Sequence, residues 1–261
     1  MLHVSGHAVH SVTVGTGAPV VMIHCMLARH EALLPLANAL EVRATLFDVA
    51  GHGRSGDWDG QTDYHKLAVD TAKALCEGPT HLIGHSFGAT AALRLAVERP
   101  DLVNRLTLIE PVYFAAAKGT AQHAAHAKAF RPFVGDMLSG KEARAAQVFN
   151  NLWGSKDWHA IPAGLQKYLI DRIHLIVAGG AAIEEDADGI ISAERLGQLT
   201  MPVTLIRGAK TQPVIAAIHQ VLVARIPNAT DHVVSEAGHM ISLTHASSVA
   251  EIIRAADQET D

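Results

Sequence analysis

The chain has 261 residues, of which 49% are hydrophobic and 18% charged. That is too apolar for a disordered chain and long enough for one well-buried domain carrying an insertion. The net charge of −5, with no Lys/Arg run, excludes the electrostatic footprint of a nucleic-acid binder.

Val9 to Val14 reads as an early edge strand, closed by Gly15-Thr16-Gly17. Pro19 to His24 is a continuous apolar run, as expected of a strand covered on both faces. Helical spacing follows over Glu31 to Leu40, then a strand over Val42 to Phe47 ending at Asp48. Tyr64 to Leu75 reads as a helix, Thr80 to Ile83 as a strand, Ala89 to Ala96 as a helix and Leu102 to Ile109 as a strand. This alternation implies parallel strands joined by right-handed crossovers, an α/β fold. Between Tyr113 and Leu199 the rhythm breaks into helical patches only: Ala115 to Phe130, Gly140 to Asn151, Gly164 to Ile176 and Ala193 to Leu199. Pro202 to Ile206 resumes the sheet. A helix over Ile215 to Ala224, a short strand over His232 to Val234 and a helix over Ala246 to Ala256 complete the chain. The expected division is therefore a core of residues 1–112 and 200–261, with 113–199 as an inserted helical cap.

Gly84-His85-Ser86-Phe87-Gly88 falls between a strand and a helix. A Gly-x-Ser-x-Gly turn in that setting lifts the serine hydroxyl clear of the backbone and aims a helix N-terminus, with its unpaired N–H groups, at whatever the serine attacks. A serine hydroxyl needs a base to take its proton and an acid to orient that base. His239, in Gly238-His239-Met240 between the last strand and the last helix, stands where the base is expected.

With these residues in hand the chain resembles the α/β-hydrolase superfamily from nearly end to end. Pro19 to His24 is similar to the family's third strand and the turn after it. Asp48-Val49-Ala50-Gly51-His52-Gly53-Arg54-Ser55 resembles the family's Asp-x-x-Gly-His-Gly-x-Ser loop, for which a structural role is expected, Asp48 and Arg54 bonding the local backbone. The resemblance implies a mostly parallel central sheet flanked by helices, and an oxyanion hole built from the backbone N–H groups of Met26 and Phe87. Such donors typically supply ~3 kcal/mol each to a transition state. His52 and His85 belong to the family pattern and receive no catalytic role.

The chain departs from that pattern twice. Cys25 follows His24 where the family usually has Gly, so the turn must suit a Cβ; as an alternative nucleophile Cys25 lacks an elbow. The usual acid position, in Gly208-Ala209-Lys210-Thr211, holds threonine. Threonine cannot balance an imidazolium charge. Glu110 ends the strand after the elbow helix, 24 residues beyond Ser86 (110 − 86). Haloalkane dehalogenases of the same superfamily include members with their acid at that place. Glu110 is therefore the favoured acid, with Asp231 as the outside candidate.

The expected function is a serine hydrolase of a small carboxylic ester or related acyl compound, with a small-molecule substrate and no cofactor. Alternatives are a carbon–carbon bond hydrolase of the same fold and a non-catalytic member that binds a small ligand. The aromatics of the insertion include Tyr113, Phe114, Phe130, Phe133, Phe149, Trp153 and Trp158. Most are expected in its core, one or two walling an apolar pocket. The 17 histidines include His123 and His126 three apart and a cluster at His3, His7 and His10, yet no metal-ligand pattern accompanies them, and no metal is expected. Two cysteines make no disulfide framework. The opening residues lack a basic start and a long apolar stretch, and no run nears the ~18 residues of a membrane span. The expectation is a cytosolic protein without a membrane partner.

Overall fold

A computed structural model describes residues 2–258 of the chain. A short hairpin, β1 (Leu2–Val4) and β2 (His7–Val9), precedes the main sheet. The single strand expected over Val9 to Val14 is thus split. Ser5 and Gly6 both adopt positive φ, as a two-residue hairpin turn requires, and the strand that joins the sheet starts later.

Seven strands form that sheet: β3 (Ser11–Val14), β4 (Pro19–Ile23), β5 (Arg43–Phe47), β6 (Thr80–His85), β7 (Val103–Ile109), β8 (Val203–Gly208) and β9 (Ala229–Val234). Their order is β3-β5-β4-β6-β7-β8-β9, and only β3 runs antiparallel to its neighbour. β6, the strand of the elbow, lies at the centre. On β4, Val20 and Met22 face one layer while Val21 and Ile23 face the other. That is why its sequence reads as an unbroken apolar run.

Helices cover both faces. α1 (Leu34–Leu40) packs on one side with the C-terminal helix, which comes last in the chain; α2 (Tyr64–Leu75) and α3 (Phe87–Glu98) lie on the other. Ten residues of α3, from Phe87 to Ala96, are buried. Its run of Ala and Gly lets it press directly against the sheet.

Between β7 and β8 every described element is helical: α4 (Ala121–Leu138), α5 (Glu142–Trp153), α6 (Ala163–Arg172), α7 (His174–Ala178), α8 (Gly180–Glu185) and α9 (Ala193–Leu196), with short 3-10 turns. Two boundaries differ from expectation. Phe114–Ala117 forms a 3-10 turn, and the helix expected to stop at Phe130 runs on through Pro132 to Leu138. Phe133 stacks on Phe130 at 4.5 Å and is buried in a cluster with Ala145, Trp158 and Ile173. That packing outweighs the hydrogen bond lost at proline. The patch from Gly164 to Ile176 divides into α6 and α7.

After β8 come α10 (Pro213–Arg225), β9, α11 (Ile241–Thr244) and α12 (Ala246–Gln258). β9 begins three residues earlier than expected, extended by its parallel pairing with β8 from Ala229 onward. Among the described residues no helix is long and apolar enough to cross a membrane.

Candidate active site

Ser86 occupies the turn between β6 and α3 at φ 58° and ψ −118°, a conformation that costs a residue bearing a Cβ of order 1–3 kcal/mol. Its N–H donates to the Ile109 carbonyl at 2.8 Å, tying the turn to the end of β7. The flanking glycines answer a steric demand. A Cβ at Gly84 would lie 2.3 Å from the Gly88 carbonyl oxygen, and one at Gly88 would lie 2.1 Å from that of Ile23.

Glu110 leaves β7 at φ 52° and is fully buried. Its N–H donates to the Ile206 carbonyl at 2.9 Å, and the Gly208 N–H donates to its Oε1 at 2.7 Å. Oε2 accepts from the Thr211 hydroxyl at 2.5 Å and faces His239 Nδ1 at 2.8 Å. The other ring nitrogen, Nε2, lies 2.9 Å from Ser86 Oγ. A carboxylate at Nδ1 favours the tautomer with its proton there, leaving Nε2 free to accept the serine proton. The structure thus brings Ser86, His239 and Glu110 into one hydrogen-bonded row. Thr211, at the position where the family pattern would place the acid, donates to Glu110. Asp231 is engaged elsewhere, on the buried His219 ring at 2.7 Å.

The turn after β4 is locked by two buried histidines. His24 Nδ1 donates to the Cys25 carbonyl at 2.7 Å, and its Nε2 accepts from the Val49 N–H at 3.0 Å. His52 Nε2 accepts the Leu27 N–H at 2.9 Å. Burial, with His24 nearby, pushes His52 down to about 3, and burial lowers His24 as well. Both rings stay neutral and can serve as acceptors. Cys25 avoids positive φ, so no glycine is needed at that position; Leu27 takes the left-handed position instead, at φ 61°, at a cost of about 1–2 kcal/mol. Burial drives the Cys25 thiol up to about 12. Among the described residues neither the Met26 N–H nor the Phe87 N–H has an acceptor, and both residues border the cavity that Ser86 opens into.

Asp48 is fully buried and accepts from the N–H groups of His30 and Arg54 at 2.8 and 2.9 Å and from His30 Nδ1 at 2.9 Å. It holds its loop as expected, whereas Arg54 contributes through its backbone. His10, His30 and Asp48 gather three ligand-type atoms within 4.8 Å, but the Asp48 oxygens are already taken by these donors.

Sequence reasoning missed two contacts to His239. His85 Nε2 donates to the His239 carbonyl at 2.8 Å, while its Nδ1 accepts from Ser242 Oγ at 3.1 Å. Burial, then the nearby His239, pushes His85 down to about 3 and keeps it neutral. Trp153 packs edge-on against the His239 ring, centroids 4.6 Å apart. The Gly-His-Ser spelling of the elbow was the available signal for His85. Nothing local marked Trp153.

Ser86 and His239 stand where two cavities meet, one of about 690 Å³ and one of about 420 Å³. Met26, Phe149 and Trp153 border both. Phe114, Phe130, Phe133, Phe149 and Trp153 all wall the larger one. Five of the seven aromatics named from the sequence therefore line the site, which corrects the expectation of one or two. α4, α5 and α7 close around an open space over Ser86, so their apolar faces meet that space as well as one another.

Residues 18–246 match the family described as alpha/beta hydrolase fold, and the chain belongs to it. It is 28% identical to lipase LipV of Mycobacterium tuberculosis over 244 residues, 87% of this chain and 85% of that protein. It is 34% identical to (E)-2-((N-methylformamido)methylene)succinate hydrolase of Acinetobacter baylyi over 104 residues, 38% of this chain and 40% of that protein. Among solved structures, 2-hydroxy-6-oxo-6-phenylhexa-2,4-dienoate hydrolase from Rhodococcus sp. strain RHA1 superposes with a TM-score of 0.75 at 16% identity, covering 97% of this chain and 95% of that one. Hydrolase activity is what the family and these relatives support in common.

Proposed function

We propose that the chain is a serine hydrolase of carboxylic esters or related acyl compounds, working through Ser86, His239 and Glu110 without a cofactor. The observation that carries this reading is the hydrogen-bonded row from Ser86 Oγ through His239 to Glu110, at 2.9 and 2.8 Å. Ser86 Oγ attacks the acyl carbon as His239 Nε2 takes its proton. Glu110 stabilises the imidazolium that forms, its own charge held in place by Thr211 and Gly208. The Met26 and Phe87 N–H groups receive the oxyanion. His239 then protonates the leaving alcohol, and water, activated by the same base, releases the acid. The helices of 113–199 act as a cap that walls the site with apolar side chains and limits water. Lipase LipV, by its name, favours an ester substrate.

The test combines a fluorophosphonate probe with turnover of a short p-nitrophenyl ester. Both should be seen in the native protein and lost in Ser86→Ala, with turnover falling about 10⁵-fold or more. Activity in Ser86→Ala at a tenth of the native value would sink the serine mechanism. A vinylogous diketone should not be cleaved.

A further inference from the structure

The two cavities differ in kind. Beyond the shared residues, the larger is bordered by Phe130, Val134, Leu138, Val177 and Ile183, with His174 and Glu184 its only further ionisable groups. The smaller carries Arg29, Glu31, Asn150, Ser155 and Lys156. Ile161, Leu165 and Leu243 border the smaller as well, but only the smaller adds charged and amide groups of this number, so it is the one suited to a polar moiety and the larger the one suited to an apolar moiety. Exposed apolar side chains gather at the mouths of both cavities, more of them at the larger. Six large hydrophobic side chains are exposed among the described residues, and five of them line these two cavities: Val134, Leu138 and Val177 the larger, Leu165 and Leu243 the smaller. Leu138 is 85% exposed. Scattered exposed leucines need no explanation, but apolar side chains gathered at cavity mouths mark where an apolar ligand enters.

The polarity of the reaction sets which part goes where. His239 hands its proton to the leaving group, and the residues that follow it, Met240 and Leu243, border only the smaller cavity. Of the two N–H groups assigned to the oxyanion above, that of Phe87 belongs to a residue bordering only the larger, while Met26 borders both. We infer that the substrate is an ester of a straight-chain fatty acid with a small polar alcohol, its acyl chain lying in the larger cavity and its alcohol leaving through the smaller. This rests on the serine-hydrolase reading above. The step balances as ester hydrolysis. The Ser86 Oγ–acyl bond forms as the bond to the alcohol oxygen breaks, the alcohol leaves with the proton from His239, and water returns the acyl group as a carboxylic acid.

The experiment is a chain-length series of p-nitrophenyl esters from acetate to decanoate, each below its solubility limit, on native protein and on Gly180→Phe. Gly180 opens α8 at the wall of the larger cavity, outside the left-handed region, and a Cβ there meets nothing within 4 Å. A phenylalanine side chain can therefore intrude on the cavity without a backbone clash. For the native protein, kcat/KM should rise about threefold to fourfold per methylene from butyrate to octanoate, as burial of each methylene dictates. In Gly180→Phe the octanoate-to-acetate ratio should fall by on the order of tenfold or more. Ile183→Trp, on the next turn of α8, should act in the same direction and substitutes if Gly180→Phe fails to fold. A flat or falling native series would overturn the acyl-chain assignment. A rising series with an unchanged ratio in the folded variants would overturn its placement in the larger cavity. The serine-hydrolase reading fails separately, by absence of both fluorophosphonate labelling and turnover of every ester.

Discussion

Replacing Glu110 with Gln is the sharpest test of the site, because the hydrogen bonds around it decide the outcome. The Gly208 N–H donates to one carboxylate oxygen, so the carbonyl oxygen of a glutamine must stay there; the flipped amide would set N–H against N–H. Its NH₂ group then faces His239 Nδ1, where Glu110 Oε2 stood at 2.8 Å. An N–H donor at that place forces Nδ1 to accept and puts the ring proton on Nε2, opposite Ser86 Oγ. The base is then in the wrong tautomer to take the serine proton. The equivalent acid-to-amide change in a serine protease costs roughly 10⁴ in kcat, or about 5.4 kcal/mol of barrier, and a similar loss is expected here. Thr211→Ala removes one of three donors to the carboxylate but leaves its charge and the His239 bond intact. It should lower kcat by no more than about tenfold, since a net hydrogen bond to a charged group is shared between ground and transition states. The assay is steady-state hydrolysis of a short p-nitrophenyl ester, with circular dichroism to check the fold. A folded Glu110→Gln that keeps a tenth of native kcat would refute the reasoning, as would a Thr211→Ala more damaging than Glu110→Gln.

Asp231→Asn should leave ester turnover within about threefold of native, because Asp231 bonds His219 and not His239; a loss of 10³ or more in the same assay would make Asp231 the acid. Glu184, at the wall of the larger cavity, is pushed up to about 7 by burial and then by Glu185, with Lys118 opposing. A carboxyl raised on folding contributes stability fully present below its unfolded value and lost as pH rises through about 7. Differential scanning fluorimetry should therefore show a steeper fall in Tm between about pH 5 and pH 8 for the native protein than for Glu184→Gln, and parallel curves would contradict this. Cys25, with its thiol raised to about 12, should resist iodoacetamide at about pH 8; inactivation together with alkylated Cys25 by mass spectrometry would disprove it. Gly88→Ala should lower Tm by on the order of 5–10 °C, since its Cβ would lie 2.1 Å from the Ile23 carbonyl oxygen; an unchanged Tm would show that the elbow can relax.

What the sequence determined by itself was whatever depends on neighbouring residues. Apolar runs and helical spacing set the alternation of β4 to β7 with their helices, because burial of one face acts through a local period. The elbow was legible for the same reason: its glycines are needed by backbone atoms within a few residues and on the adjoining strand. His239 and Glu110 could be named as candidates from their places at strand ends. Only the tertiary structure shows which candidate meets His239, because the bonds that Glu110 makes join groups far apart in the chain. Gly208 and Thr211 lie 98 and 101 residues beyond it, and His239 lies 129 beyond. The strand order sets β7 next to β8 and β9 beyond it, bringing these residues together. The same holds for His85, whose partner carbonyl is 154 residues away, and for α4, which passes through Pro132 because Phe133 is buried against α5 and α6. The insertion's aromatics had apolar surroundings in any arrangement. Whether they met each other or enclosed a cavity over Ser86 depended on how α4, α5 and α7 are spaced, a property of packing that no local pattern carries.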